Sequence, residues 1–224
     1  MTFSLVARDP ASGAFGMVVT SSSPAVAARC VHLRPGAAGA ASQNVTNPEL
    51  GTKLLDLVES GAAAGDAMAK LLAQEPNTAY RQLSLVDNQG RTAVFSGAKT
   101  LGTHRTVEGP AAVAAGNLLS APGVVDAIMD AYTTATGEFE DRLLAGLLAG
   151  RDAGGEEGPE HSAGLVVVDQ VSWAVTDLRV DWAEEDPIGQ LAEVWKLWEP
   201  QKHQYLTRAL QPDDAPSYGV PGDL

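Results

Sequence analysis

The sequence predicts an α+β protein in which antiparallel strands alternate with pairs of helices. Turn signals, rather than long parallel crossovers, separate most of the strand-like runs. Two groups of strands are each followed by two amphipathic segments of helical period. Two strands are rich in Ala and Gly, so other layers must pack closely against them. We therefore expect two antiparallel sheets stacked face to face with helices outside, a four-layer α-β-β-α sandwich.

The first predicted element is a hairpin over residues 1–24. Residues 2–8 alternate between two faces, residues 9–13 read DPASG and predict a turn, and residues 15–21 resume an apolar run. A turn centred near Ala11 places Thr2 opposite Thr20, with the hydroxyls of residues 21–23 just beyond. We therefore expect a cluster of hydroxyl groups at the free end of the first strand.

Strands, two helices and a hairpin are predicted up to residue 96. An Arg-Pro-Gly turn signal separates predicted strands 25–33 and 37–43. Asn47 is placed to cap a helix that begins at Pro48 and ends at Gly61, and a second helix covers residues 65–74. An Asn-Gln-Gly signal then joins strands 82–87 and 91–96 into a hairpin.

The same order recurs in the second half of the chain. We predict a small-residue strand over 109–119, helices over 122–132 and 138–149, and a strand pair over 163–168 and 173–182, after a Gly-rich acidic loop at 151–161. Residues 187–210 are helical, broken or bent at Pro200. The prediction is thus a sandwich domain over 1–186, C-terminal helices over 187–212 that pack on it or at a dimer interface, and a disordered tail over 213–224.

Composition and charge exclude several classes of function. The chain has 224 residues, of which 45% are hydrophobic, enough for a substantial core. Its 28 acidic residues outnumber the 15 lysines and arginines, for a net charge of −13, which argues against nucleic acid or an anionic membrane as a partner. The sequence shows neither a secretion signal nor a long apolar stretch. We expect a cytoplasmic protein.

The sequence contains no common motif for a phosphate, a dinucleotide or a serine nucleophile. Cys30 is the only cysteine, which rules out an internal disulfide and a thiolate cage for a metal. The four histidines are far apart on unlike segments, so their spacing does not predict a zinc site. We predict that no metal and no cofactor is required.

Thr2 is the first candidate for chemistry. Threonine is small enough for the initiator methionine to be trimmed, which would leave Thr2 with a free α-amine beside its hydroxyl. An α-amine titrates near pH ~8 and can accept the hydroxyl proton, so one residue would supply both nucleophile and general base. Many chains begin Met-Thr without any such role, and the dipeptide alone does not decide between the two interpretations.

Several segments together resemble a known family. They are residues 2–9, 24–26 and 39–43, Asn117, and residues 152–155, 177–181 and 186–188. These are similar to the bacterial family DUF1028, grouped with the N-terminal-nucleophile (Ntn) hydrolases, in order along nearly the whole chain. The resemblance implies an Ntn-hydrolase-like sandwich of two antiparallel sheets between helical layers. By analogy with the superfamily it also implies amide-bond hydrolysis by an N-terminal residue, here Thr2.

The chain departs from the family pattern at two places. Ser22 stands where many relatives carry a lysine, and His161 replaces a glutamine at the end of a loop that is usually basic and here is acidic. The first change removes a cation beside the proposed N-terminal amine. The second predicts that this chain binds an anionic substrate more weakly than its relatives do.

The candidate site residues combine these observations. Thr2 is the predicted nucleophile, with Ser4 as a second choice, and Ser21 and Asn117 are predicted to donate to an oxyanion. Predicted substrate-binding residues are Arg8, Ser22, Gln43, Asp152, His161, Asp177 and Arg179. Structural roles compete with several of these: strand-end caps for Ser21 and Asn117, a solvated loop acid for Asp152, an ion pair for Asp177 with Arg179, and a structural pairing for Arg8.

Two functional hypotheses from different classes follow. The first is hydrolysis of a small amide, ureido or cyclic amide substrate through an acyl-enzyme on Thr2. The alternative is a non-catalytic binding or assembly module that retains the sandwich without the nucleophile. Leu191, Trp195 and Trp198 share one helical stripe, which Val194 and Leu197 widen, so we also predict a homodimer built on this helix.

Overall fold

The computed structural model of this chain describes residues 1–222. The strands are β1 (Thr2–Arg8), β2 (Phe15–Ser21), β3 (Val31–Arg34), β4 (Ala38–Asn44), β5 (Arg81–Asp87), β6 (Thr92–Ser96), β7 (Arg105–Gly109), β8 (Ala112–Asn117), β9 (Ser162–Val168) and β10 (Ala174–Val180). The α-helices are α1 (Ala27–Cys30), α2 (Pro48–Glu59), α3 (Ala64–Gln74), α4 (Gly123–Thr134), α5 (Phe139–Asp152) and α6 (Pro187–Leu210). Short 3₁₀ turns cover Thr78–Tyr80 and Pro212–Asp214.

The strands of the described residues form two antiparallel sheets. Sheet A has six strands in the order β10-β9-β2-β1-β8-β7, and sheet B has four in the order β3-β4-β5-β6. The predicted combination of antiparallel sheets and helices is confirmed. β1 lies inside sheet A with β2 and β8 as its neighbours, so the strand that carries Thr2 is paired on both sides.

The hydrophobic core is organised by the alternation of side chains along these strands. On β1, Phe3 and Leu5 point towards a cluster that includes Ile128 of α4 and Leu147 of α5. On its other face, Val6 packs in a cluster with Val86 of sheet B. The outer face of sheet B packs against α2 and α3 in a third cluster, which contains Leu54, Met68 and Leu83. Side chains of β1 therefore face helices on one side and sheet B on the other.

The register of the first hairpin differs by one residue from the prediction. Phe3 pairs with Thr20, which brings Thr2 beside Ser21 rather than Thr20. The turn is closed at Asp9, whose amide donates to the carbonyl of Ala14 and whose carboxylate accepts from Ser12. The centre of the turn thus lies after Ala11, which moves every pair along by one position.

Two predicted strands were wrong in extent. Residues 25–33 contain helix α1 followed by the first three residues of β3, because Ala25 adopts a left-handed conformation (φ 52°) that ends the extended run. Residues 109–119 contain the turn between β7 and β8, because Pro110 and the left-handed Ala111 (φ 52°) reverse the chain. The sequence of β7 did not reveal the strand, since it is a half-exposed edge strand without apolar alternation.

The C-terminal segment forms one helix. α6 continues through Pro200, so of the two predicted outcomes the break is absent, and the bend stays a prediction. Leu191 and Trp195 are buried within the chain itself, and the indole of Trp195 donates to Asp141 at 2.7 Å. Most of the stripe assigned to a dimer interface is therefore covered by α5 and by sheet A.

The tail beyond α6 was predicted to be disordered from residue 213. In the described part, the ring of Tyr218 meets Tyr205 edge-on at 6.3 Å, and the guanidinium of Arg208 lies 4.0 Å from the Tyr218 ring centre. Residues 223 and 224 lie outside the described residues. Disorder of this tail stays a prediction.

Among the described residues, no helix has the length and apolar character needed to span a bilayer.

A polar network crosses the space between the sheets. Ser4 Oγ donates to Gln43 Oε1 at 2.8 Å, and Gln43 Nε2 donates to Gln82 Oε1 at 2.9 Å. The same Gln82 oxygen accepts from Asn117 Nδ2 at 3.0 Å, while Gln82 Nε2 donates to the carbonyl of Gly116 at 2.9 Å. All of these side chains are buried, so the network has no water to replace a lost partner.

We predict that Gln82→Met destabilises the fold by on the order of 3 kcal/mol, because the amides of Gln43 and Asn117 lose their common acceptor. Chemical denaturation measures the effect. The matched control is Gln89→Met, the same change on an exposed turn, for which we expect less than about 0.5 kcal/mol. Equal effects of the two substitutions would contradict a stabilising role for the network.

Candidate active site

Thr2 lies at a junction of three strand ends. It pairs with Asn117 of β8, and its Oγ1 is 3.4 Å from Ser21 Oγ of β2. The hydroxyls of Thr2 and Ser21 each donate to the carbonyl oxygen of Met1 at 2.5 Å. Thr2 is 6% exposed and Ser21 is fully buried. A carbonyl oxygen next to Thr2 is therefore held by two hydroxyl donors in a largely water-free position.

A chain of hydroxyl groups continues from this junction. Ser21 Oγ and Ser23 Oγ are 2.8 Å apart, and a terminal nitrogen of Arg29 donates to Ser23 Oγ at 2.5 Å. Arg29 also donates to the carbonyls of Pro24 and Ala25. The predicted cluster of hydroxyls is present, but Arg29 at its end was not predicted. Arg29 was missed because the segment was assigned to a strand, whereas α1 turns its side chain back towards residues 23–25.

Glu156 approaches the same junction from the loop after α5. Its Oε2 accepts from the backbone amide of Ser22 at 3.1 Å, and its Oε1 has no hydrogen-bond partner within the described chain. Burial raises the pKa of Glu156 to about 8; the nearby Glu160 adds to this rise, whereas the N-terminal amine and the Ser22 hydrogen bond oppose it. Glu156 is thus mainly a neutral carboxylic acid at pH 7.

The loop that carries Glu156 was predicted, but Glu156 was not among the predicted site residues. Gly154 and Gly155 precede it with φ values of 116° and 58°, a conformation that favours glycine and turns the chain inward. Glu156 then pairs with Leu119 in an isolated bridge beyond the end of β8. The Gly-Gly pair was the available signal, because it marks a loop with a specific path rather than a flexible connector.

Other predicted residues surround the junction without touching Thr2 through their side chains. The side chains of Asn117 and Gln43 are both engaged with Gln82 in the inter-sheet network. Ser22 meets Glu156 through its amide, and the amide of His161 donates to the carbonyl of Ser21 at 2.8 Å. The His161 ring stacks on Trp182 at 4.3 Å, with Nδ1 2.7 Å from the carbonyl of Ala183.

Asp152 lies on the outer surface at the end of α5. Its side chain is 67% exposed and pairs with Arg151 at 2.9 Å, and Arg151 also pairs with Asp186 at 2.9 Å. No contact between Asp152 and Thr2 occurs within the described residues. This geometry agrees with a solvated acid at a helix end.

Three predicted residues are separated from Thr2. Arg8 occupies the other end of β1, about 20 Å away at the rise of an extended strand. Asp177 and Arg179 lie on β10, three strands or about 14 Å across sheet A, where they line a separate cavity of about 270 Å³. Arg179 pairs with Asp181 at 3.7 Å, and not with Asp177 as the structural alternative predicted.

No group of three or more His, Cys, Asp or Glu side chains comes together to hold a metal ion in residues 1–222. The lone Cys30 is buried, which raises the pKa of its thiol and makes it a poor ligand or nucleophile. The groups available for chemistry at the junction are therefore hydroxyls, the Glu156 carboxyl and the Arg29 guanidinium.

Comparison with known proteins identifies relatives. A model for a family of unknown function, DUF1028, matches residues 2–191. The crystal structure of protein SPO2555 from Silicibacter pomeroyi, described with the same family model, has a TM-score of 0.82 and 29% identity, covering 88% of each chain.

Two Anbu structures are more distant. One from Yersinia bercovieri has a TM-score of 0.42 at 10% identity, covering 89% of this chain and 95% of its own. One from Hyphomicrobium sp. strain MC1 has a TM-score of 0.39 at 10% identity, covering 91% of this chain and 98% of its own. These scores are too low to support an argument about this chain. No match to a curated protein was found.

We predict that Glu156→Gln raises stability increasingly as pH rises from about 5 to about 8. The pKa of Glu156 is above its ordinary 4.5 in the folded state, so the unfolded chain loses this proton first and unfolding of the wild type is favoured through that window. The gain at pH 8 is expected to be on the order of a few kcal/mol, measured by denaturation across the pH range.

Glu157→Gln serves as the control, because this neighbouring carboxylate is exposed and its removal should leave the pH profile nearly unchanged. A profile for Glu156→Gln parallel to that of the wild type would show that Glu156 ionises in the folded state as it does in the unfolded chain.

Proposed function

The chain belongs to the DUF1028 family, and on that premise we propose that it is an Ntn-type amidohydrolase that cleaves small amide, ureido or cyclic amide substrates through an acyl-enzyme on Thr2. The observation that carries the proposal is the position of the Thr2 hydroxyl. It shares the Met1 carbonyl oxygen with a second buried hydroxyl, that of Ser21, at 2.5 Å each. This arrangement supplies a nucleophile and a donor to the same carbonyl.

The proposal includes the four-layer arrangement of the Ntn hydrolases. Three observations support it: sheet A shares a core with α4, α5 and α6, sheet B shares one with α2 and α3, and the sheets share a third between them. Within this arrangement Thr2 lies at the end of β1 on the face directed at sheet B, as does Ser4, two residues along. A substrate would enter at the open end between the two sheets.

The reaction requires that Met1 be removed, because the Thr2 nitrogen is part of a peptide bond while Met1 is present. The freed amine accepts the proton of the Thr2 hydroxyl as the oxygen attacks the substrate carbonyl carbon. Ser21 donates to the oxyanion that forms, the amine passes the proton to the leaving nitrogen, and an ester on Thr2 remains. Water then hydrolyses the ester and restores the hydroxyl. The reaction needs no cofactor.

Asn117 has a supporting role in this proposal and not the one predicted from the sequence. Its Nδ2 donates to Gln82, and its backbone pairs with that of Thr2. It therefore positions the nucleophile through the strand pairing and the inter-sheet network. Backbone amides and the Ser21 hydroxyl are left as the donors to the oxyanion.

One observation favours the alternative, a non-catalytic binding or assembly module. The side chains of Ser4, Gln43, Gln82 and Asn117 satisfy one another without a ligand, which agrees with a structural role for the polar interior. The intact mass of the purified protein distinguishes the two. Retention of Met1 leaves Thr2 without a free amine and supports the binding module.

The catalytic proposal predicts a defined pattern of variants. Thr2→Ala should abolish turnover on a panel of small amides, Thr2→Ser should retain part of it, and an unremovable residue before Thr2 should be as damaging as the alanine. The extension is the sharpest test, since it removes the base while the hydroxyl remains. Thr52→Ala, on the exposed side of α2, is the matched control and should turn over substrate normally.

Full activity of the extended protein would show that the N-terminal amine takes no part in the reaction. Turnover that survives Thr2→Ala would assign the nucleophile to another group, with Ser21 as the nearest hydroxyl.

We also propose that the protein is a homodimer through the outer face of α6. Leu197 remains 69% exposed there, although the inner stripe of the helix is covered within the chain. Light scattering at micromolar concentration should give twice the mass of one chain for the wild type. The Leu197→Glu variant should give the mass of a single chain. Leu101→Glu, a similarly exposed leucine away from α6, should leave the mass unchanged. A single-chain mass for the wild type would contradict the dimer.

A further inference from the structure

Arg29 is a cation without an ionic partner. No carboxylate of the described residues lies within ion-pair distance of its guanidinium, which donates instead to Ser23 Oγ and to the carbonyls of Pro24 and Ala25. This is unusual in a chain where 28 acidic residues face 15 basic ones. Because a guanidinium has five N–H groups, Arg29 retains donors for a further acceptor while it makes these bonds.

Arg29 faces the same cavity as Thr2. This cavity has a volume of about 550 Å³, and its lining includes Thr2, Ser23, Arg29, Asn44 and Thr46. Three consecutive hydrogen bonds, of 3.4, 2.8 and 2.5 Å, connect Thr2 Oγ1 to Arg29 through Ser21 and Ser23. The guanidinium therefore lies within about 9 Å of the Thr2 hydroxyl.

In a second cavity, the cations are paired with carboxylates. That cavity, of about 360 Å³, lies near the turn between β1 and β2. Arg142 pairs there with Asp9 at 2.6 Å, and Lys202 pairs with Glu140 at 3.1 Å. Hydrogen bonds from Arg142 and Ser12 overcome the effect of burial and hold the pKa of Asp9 below its ordinary value. These cations are already neutralised, whereas the cavity beside Thr2 combines a hydroxyl nucleophile with a cation that has no carboxylate partner among the described residues.

We propose that the cavity beside Thr2 selects anionic amides, with a carboxylate of the substrate bound by Arg29 and its amide carbonyl presented to Thr2. The binding step stands on the geometry alone, while cleavage of the bound amide rests on the proposed function. A planar guanidinium binds a carboxylate through paired hydrogen bonds, which fixes the orientation of the ligand as well as its charge.

The distance between the two groups restricts the substrate further. A reacting oxygen approaches a carbonyl carbon to about 3 Å, and a guanidinium–carboxylate hydrogen bond spans about 2.8 Å. Because about 9 Å is the upper limit of this separation, it leaves space for at most about three covalent bonds between the carbonyl and carboxylate carbons. N-acyl amino acids have this separation, so they are the substrate class that the geometry favours.

The acidity of the loop at 151–161 does not oppose this selection as the sequence suggested. Glu156, the member of the loop that reaches the junction, is mainly neutral at pH 7 because burial raises its pKa to about 8. Glu157 is exposed and directed to solvent, where its charge is screened. Arg29 therefore remains a cation in the lining of this cavity that no carboxylate of the described residues neutralises.

The test measures binding of N-acetyl amino acids and of their neutral amides, which differ only in the carboxylate. Titration calorimetry on the full chain carrying Thr2→Ala separates binding from turnover. We expect the acids to bind more tightly than the amides, and Arg29→Met to weaken only the acids, by about tenfold to a hundredfold. Arg29→Lys should retain part of the difference in affinity between the acids and the amides. Lys70→Met, which removes an exposed charge from α3, should change neither the affinity for the acids nor that for the amides.

Equal affinity for acids and amides would overturn the proposal, as would unchanged acid binding in a folded Arg29→Met protein or no acid binding in the panel at millimolar concentrations. This failure is distinct from failure of the proposed function. Arg29-dependent binding without turnover in the wild type would contradict the hydrolase proposal and support the anion site. Turnover of the anionic amides at equal rates with and without Arg29 would contradict the anion site and leave the hydrolase proposal intact.

Discussion

The buried hydrogen-bond network between the two sheets determines where the candidate site forms. Gln82 of sheet B accepts from Asn117 of sheet A and is linked through Gln43 to Ser4. In a strand pair, a slip of one residue reverses every side chain, so Ser4 can meet Gln43 in only one register. That register also directs Thr2, two residues earlier, to the same face. The position of a possible nucleophile is therefore a consequence of satisfying amides in the interior.

Patterns that depend on neighbouring residues predicted most of the fold. Asn47 with Pro48 marked the beginning of α2, where the Asn47 side chain accepts from the amide of Glu49, and the Asn-Gln-Gly signal marked the hairpin of β5 and β6. The errors occurred where one left-handed residue changed the path of the chain. Ala25 and Ala111 carry no glycine or asparagine signature, so periodicity alone extended strands through them.

The candidate site was less predictable than the fold because it is assembled across distant segments. Thr2 and Ser21 were found since both lie in one hairpin, although with a register error of one residue. Glu156 reaches them from 134 positions beyond Ser22, and no local pattern encodes that contact. Arg8, Asp177 and Arg179 were assigned from strand faces and family segments. Sharing a face does not imply proximity when residues are separated along a strand or by several strands.

The pairing of β1 on both sides also determines how the cavity can adapt to a ligand. β1 is held between β2 and β8, and moving this strand would require the opening of the central part of sheet A. The opposite wall contains Asn44, in a left-handed conformation (φ 74°), and Thr46, in the connection between β4 and α2. Divergence among related chains in which molecule they accept is therefore expected to arise in this connection, while the strand that presents the hydroxyl stays the same.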